Sequence, residues 1–445
     1  MTIISIIYLI SELMDLKYPR GVKDLMPNEA ISKEELVEKV KAVFTLFGFY
    51  PIDTPVFESL DVLFAKNAIG EEDKLIYKIQ DSNLGLRYDH TVSLARFFAM
   101  HNDVQLPFKR YIIDKIWRRE EPQKMRYREV IQADIDILGG NQFHANAEVI
   151  AATAATLSAL GIKYEIHIND RRILDKFIKS IGIDTDADDS MPMKIMHIID
   201  KNDKLDGDKI SDLLNNLGLG DEKVNQIMEF IGLQSGNNEK LNYLRGILKQ
   251  EDQQVIKEIE DLLNELEYYG FSSEPIIDFS IVRGLDYYTS LIFEFKLSDK
   301  SSKSSIAAGG RYDNLISVYS SKSMPAVGAS IGISRVMDYL KCHESKKLTN
   351  SVIYIAYINE GNYAYAVKAA GMLREAGIAT DLNISDKNLS NQMRHASMLN
   401  FRLAAIIGDN EQAAGEVTLR DFASGDEKKV KLEYLVSEVK NRLTA

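Results

Sequence analysis

The stretch Phe108 to Gly140, FKRYIIDKIWRREEPQKMRYREVIQADIDILGG, constrains the fold more than any other part of the chain. It reads as two strands around a cationic loop. Strand side chains alternate with period two, so Ile112, Asp114, Ile116 and Arg118 share one face of the first arm. In the second arm Ile131, Ala133, Ile135 and Ile137 form an apolar face, and Gln132, Asp134 and Asp136 point the other way. The intervening loop carries five cations in eleven residues: Arg118, Arg119, Lys124, Arg126 and Arg128. Guanidinium forks match phosphate oxygens, and carboxylates at a strand end suit a cationic group. The hairpin therefore suits an anion at the loop and an amine or imidazole on the strand. A half-solvated strand with a charged surface loop gives the same pattern, so the stretch alone does not decide between them.

The chain has 445 residues, enough for two or three domains, and its 45% apolar and 27% charged content is that of an ordinary globular protein. A single cysteine, Cys342, excludes an internal disulfide framework and fits a reducing cytosol. The seven histidines show no paired ligand spacing, so no metal site is expected. The net charge of −12 argues against a generally basic nucleic-acid binder. The acid is uneven, however: Asp170 to Glu267 holds 13 Lys and Arg against 22 Asp and Glu. Basic patches remain open elsewhere. The opening MTIISIIYLISEL is too short to span a bilayer and lacks a cationic lead and cleavage site. Residues 1–13 read as an extension outside the fold, and no membrane segment is expected.

Along the chain, Ser32 to Phe47 carries Leu36, Val40, Val43, Phe44 and Phe47 at helical spacing, with Ser32 and Glu35 as a capping box and Gly48 as the stop. An extended segment marked by Pro51 and Pro55 follows. A short strand near Leu84 gives way at Asp89 to a helix up to Met100. Asp89 and Thr91 lie at its start, where the pattern alone favours capping over a ligand contact. Phe143–Leu160 reads as helix and Lys163–Asn169 as strand. The acidic middle segment is a mostly helical module whose charges form a solvated face. Ile276–Phe295 returns to strand around a Gly-marked turn bearing Arg283, Asp286, Tyr287 and Tyr288. Two adjacent strand tyrosines point to opposite faces, one toward core and one toward a pocket. AAGGRYD (307–313) and PAVGASIGISR (325–335) follow, with Arg335 just inside a helix. Beyond a polar linker, strands alternate with helices, which predicts a small α/β domain with a mainly parallel sheet.

These motifs, in this order, resemble the histidyl-tRNA synthetases of the class II aminoacyl-tRNA synthetase family. YPRGVKDLMP resembles the family's opening, and the helix plus TPVFE its dimerisation motif. WRREEPQKMRYREVIQADIDILG and GASIGISR resemble the second and third class II motifs. RGLDYYTSLIFEF and AAGGRYD resemble the two histidine-specific signatures. The resemblance runs from Tyr18 to the C-terminus and is least distinctive over the middle insertion. It implies an α+β catalytic domain with a mainly antiparallel sheet over 14–169 and 271–342. A helical insertion over 170–270, a linker over 343–350 and a C-terminal α/β anticodon-binding domain over 351–445 complete it.

The resemblance also implies roles. Arg118 would grip the ATP α-phosphate, Arg126 the other phosphates and Arg335 the γ-phosphate. Arg283 would stabilise charge at the α-phosphate during adenylation. Asp89, Thr91 and Gln132 would hold the substrate ammonium, Asp136 and Tyr288 the two imidazole nitrogens, and Tyr312 would line the pocket. The implied activity is a histidine–tRNA ligase: L-histidine and ATP give histidyl-adenylate, and the histidyl group passes to the 3′ end of tRNA(His). Mg²⁺ would bridge the phosphates. The expected state is a cytoplasmic homodimer. Three departures stand out: Met125 in place of a usual glycine, Ser334 in place of a usual glutamate, and Glu121 where a cation is common. The rival is a non-charging, synthetase-like regulatory subunit of ATP phosphoribosyltransferase. Such subunits typically lack a C-terminal domain and parts of the signature set, and both stand here in Asn350–Ala445 and RGLDYY.

Overall fold

The computed structural model describes residues 16–65, 75–101, 103–123, 125–183, 190–200, 205–271, 274–282, 287–302, 305–320, 323–345 and 347–444. The N-terminal extension (1–13) and Arg283 lie outside them. The chain forms two compact units, one built mainly from Leu36–Val336 and the other from Met337–Ala445 together with Asp24–Glu35.

The first unit is organised by an eight-stranded sheet. Its strands, in chain order, are β1 (Tyr50–Pro51), β4 (Phe108–Trp117), β5 (Glu129–Leu138), β6 (Tyr164–Asp170), β7 (Ile276–Ile277), β8 (Leu291–Leu297), β9 (Ala307–Arg311) and β10 (Ala326–Gly332). The spatial order is β1-β4-β5-β10-β9-β8-β6-β7. The six inner strands pair antiparallel, and only the two-residue edge strands β1 and β7 pair parallel. A separate two-stranded ribbon joins β2 (Phe57–Ser59) and β3 (Leu84–Leu86). The cationic stretch is therefore the predicted hairpin, with Asp114 opposite Gln132 and Arg110 opposite Asp136. Eleven of the eighteen residues of helix Gln142–Ala159 are buried, a close packing that its many alanines allow. Among its described residues the middle segment forms six α-helices between Arg171 and Glu267.

Three local expectations need correction. The first helix begins at Pro27, not Ser32, because Pro is well placed at a first helical position. Ser32 lies inside it and bonds back to the Asn28 carbonyl at 2.8 Å, so it caps nothing. Tyr287 and Tyr288 precede β8 rather than sitting in a strand. Their rings meet edge to face at 5.2 Å and both line the same cavity, so period-two logic does not separate them.

The second unit carries a five-stranded sheet of order β12-β11-β13-β14-β15. Its strands are β11 (Ile353–Tyr357), β12 (Thr380–Leu382), β13 (Leu403–Ile407), β14 (Glu416–Asp421) and β15 (Glu427–Lys431). Half of its pairings are parallel and half antiparallel, so the sheet is mixed rather than mainly parallel. The antiparallel half comes from β14, which pairs antiparallel with both β13 and β15; the Lys-rich sequence of β15 hides a strand with one buried residue, Val430. Asn28 Nδ2 donates to the carbonyls of His343 and Ser345 at 3.0 and 3.2 Å, which ties the N-terminal stretch into this unit.

Candidate active site

One face of the large sheet carries the polar residues, and the register sorts them into rows. The first row is Arg110, Asp136, Gly328, Gly310; the next is Ile112, Asp134, Ser330, Ala308, Glu294; the third is Asp114, Gln132, Gly332. Neighbours in a row share a face and lie side by side. Above these rows opens a cavity of about 300 Å³. Asp89, Thr91, Arg118, Arg126, Gln132, Asp136, Tyr288, Tyr312 and Arg335 all line it. Every predicted site residue that is described thus meets in one place; Arg283 is the exception noted above.

Glycines make room for this chemistry. A Cβ on Gly328 would fall 2.0 Å from Asp136 Oδ1, and one on Gly310 would fall 2.8 Å from the Tyr288 ring. Neither glycine needs an unusual φ. Both are required because a carboxylate and a phenol lie against bare backbone.

Asp136 is 2% exposed and doubly held. Arg110 Nη2 lies 2.6 Å from its Oδ2, and the Tyr312 hydroxyl donates to its Oδ1. Burial pushes its carboxyl up, while Arg110 and then Tyr312 pull it back. The net effect of burial is upward, and the guanidinium at ion-pair distance favours the ionised form against it. Burial likewise raises Tyr312, with the Asp136 charge adding to the effect, and raises Tyr288 with the Asp136 and Asp89 charges behind it. Both phenols therefore stay protonated donors.

Asp89 both bonds the start of its helix and lines the cavity. Its Oδ1 accepts the Val92 N–H at 3.0 Å, and its Oδ2 accepts the Tyr287 hydroxyl at 3.3 Å. Burial raises its carboxyl, opposed by the Val92 N–H and the Arg118 charge.

Three cations also line the cavity. Arg118 Nε donates to the Tyr88 carbonyl at 2.9 Å, which fixes its fork. Arg335 Nη1 donates to the Ser305 carbonyl at 2.7 Å. Arg126 Nε pairs with Glu120 at 2.8 Å, so reaching a phosphate means exchanging that partner. The loop between Gln123 and Arg126 closes by two backbone bonds of 3.1 and 2.9 Å, and Met125 adopts φ +61 there. A left-handed residue explains why glycine suits that position; methionine keeps the turn at a cost of about 1–2 kcal/mol. Ser334 accepts the Ile131 N–H at 3.0 Å and extends the β5/β10 contact. Glu121 lies on the outer side, 3.5 Å from Arg20 and 3.7 Å from Arg128. Among the described residues no three His, Cys, Asp or Glu side chains group as a metal site.

Sequence reasoning missed Arg110, Asp134 and Glu294, all of which belong to or support the cavity, while Tyr287, singled out only as one of an adjacent pair, lines it too. The alternation had placed Asp134 on the polar face without giving it a role. Arg110 gave no signal, because an arginine in a strand is ordinary until its burial is known.

Comparisons with known proteins agree with this geometry. A histidyl-tRNA synthetase family model matches residues 21–336, and an anticodon-binding domain model matches residues 352–442. The chain is 36% identical to a histidine–tRNA ligase of Aeropyrum pernix, covering 96% of this chain and 98% of that one. It is 34% identical to a histidine–tRNA ligase of Korarchaeum cryptofilum, over 96% and 99% of the two chains. Among solved structures, a histidyl-tRNA synthetase from Nostoc sp. PCC 7120 superposes with a TM-score of 0.82 at 26% identity, covering 96% of this chain and 100% of that one. The chain belongs to the histidyl-tRNA synthetase family.

Proposed function

We propose that this cavity performs the histidine–tRNA ligase reaction, with ATP and L-histidine as the first substrates and tRNA(His) as the acceptor. The observation that carries the reading is the pairing of a buried, Arg110-backed carboxylate with phosphate-type arginines in one cavity. Asp136 and Tyr288 take the two imidazole nitrogens, and Tyr312 holds Asp136 in place. Asp89, Thr91 and Gln132 receive the ammonium. Arg118, Arg126 and Arg335 grip the triphosphate, and Arg283 stands beside the α-phosphate. The histidine carboxylate attacks the α-phosphorus, pyrophosphate leaves, and the adenylate then yields its acyl group to the terminal adenosine hydroxyl of tRNA. Positioning and fixed positive charge lower both barriers, so no protein nucleophile is needed. Mg²⁺ bound with ATP would supply positive charge to the triphosphate, and Ser334 would offer it a hydroxyl in place of the usual carboxylate. The C-terminal unit reads the anticodon.

We place two copies together as a homodimer. Leu46, Tyr50, Val56 and Phe57 are 84, 65, 38 and 51% exposed along the edge-strand region, which is a poor surface to leave in water. The cytoplasm is the proposed location, since the chain's one cysteine, Cys342, is a free thiol that suits a reducing compartment; among the described residues no helix is long and apolar enough to cross a membrane. Nothing observed favours the regulatory-subunit reading. Incubation with labelled histidine, ATP and total tRNA tests the assignment: acid-precipitable label is expected, and its absence with active tRNA would refute it.

A further inference from the structure

We propose that Asp134 is a direct substrate contact, whose carboxylate shares with Asp89 the ammonium group of the bound amino acid. This rests on the ligase reading above and extends it to a residue that reading does not use. Asp134 is 4% exposed and lines the cavity, and beyond the Ser330 hydroxyl that faces the carboxylate, its buried Oδ1 makes no well-formed hydrogen bond among the described residues. A buried carboxylate oxygen left without a donor is costly, so a donor is expected from whatever fills the cavity.

Position identifies the donor. Asp134 lies between Asp136 and Gln132 on the same face of β5, about 6.5–7 Å along the strand from each. That spacing is comparable to the reach of histidine from ring to ammonium. With the ring on Asp136, the backbone end of the substrate is carried past Asp134 toward Gln132 and Asp89.

Charge identifies it again. The groups facing Asp134 are Arg110 from β4, Asp136 on its own strand, Ser330 from β10, and Asp89 and Tyr288 from the segments above. The one cation among them, Arg110, is engaged with Asp136 at 2.6 Å. Burial pushes the Asp134 carboxyl up to about 7, and the nearby Asp136 and Asp89 charges push the same way. Crowded carboxylates of this kind are relieved by a cation placed between them, and an ammonium supplies both the charge and the missing N–H donors.

The test is Asp134→Asn, measured by histidine-dependent ATP–pyrophosphate exchange from pH 6 to 8.5. Asparagine keeps the shape and removes the charge. A lost charge-assisted hydrogen bond predicts a rise in histidine KM of about 10- to 100-fold, with ATP KM within about twofold of wild type. The wild-type histidine KM should rise as pH falls through 7 more steeply than the variant's. An unchanged histidine KM and an unchanged pH profile in the folded variant would overturn the proposal and leave Asp134 a structural partner of Ser330. Asp134→Ser provides a second variant should Asn fail to fold, with the same loss expected. Calorimetric titration with histidinol, which keeps ammonium and imidazole, separates the two readings. No exchange in wild type refutes the ligase reading, whereas histidinol binding that ignores the Asp134 substitution refutes this contact.

Discussion

Gly328 lies opposite Asp136 in the β5/β10 ladder, and the Asp136 carboxylate occupies the space that a Cβ on Gly328 would need. The contact proposed for the imidazole thus depends on a missing side chain two strands away from Arg110. Gly328→Ala should push the carboxylate off Arg110 and Tyr312. We expect histidine KM to rise at least about tenfold, the scale of one lost charged hydrogen bond, while ATP KM changes little. Steady-state exchange kinetics with each substrate varied in turn checks this.

The Arg110–Asp136 pair is buried on both sides, with Arg110 fully inaccessible. Removing one partner leaves the other as an uncompensated interior charge. Arg110→Met should cost about 3–5 kcal/mol of stability in denaturant unfolding. Adding Asp136→Asn should return part of that loss, because the stranded carboxylate is then gone. A single variant as stable as wild type would mean the pair is not desolvated.

Asp134 makes stability depend on pH with a definite sign. Its carboxyl titrates at about 7 in the folded chain against an ordinary 3.8. The folded state therefore binds more protons between those values. The contribution favouring folding is complete below the unfolded value and is lost as pH rises through 7. Asp134→Asn should accordingly be more stable than wild type at pH 8.5, by about 2–4 kcal/mol, with the difference vanishing near pH 4. Thermal melts across this range check it. The same acid that binds substrate would then be a liability in the empty site.

How far the sequence carried depended on whether a feature was local. The β4/β5 hairpin, Asp136 and Gln132 were legible because alternation is a local rule and the strands end close to where the pattern breaks. Asp89 was legible as a helix start, but its Tyr287 bond joins residues 198 apart in sequence. Ser32 misled because Ser-x-x-Glu is the same inside a helix as at its end. Arg110 and Gly328 were silent, since their roles exist only through the register of β4, β5 and β10. The β15 strand was hidden by lysines that face solvent.

ATP–pyrophosphate exchange by the full chain with each of the twenty amino acids in turn tests the central claim most directly. Histidine alone should support exchange, and Arg283→Ala should abolish it without unfolding the protein. Exchange driven by another amino acid, or none with histidine, would contradict the account.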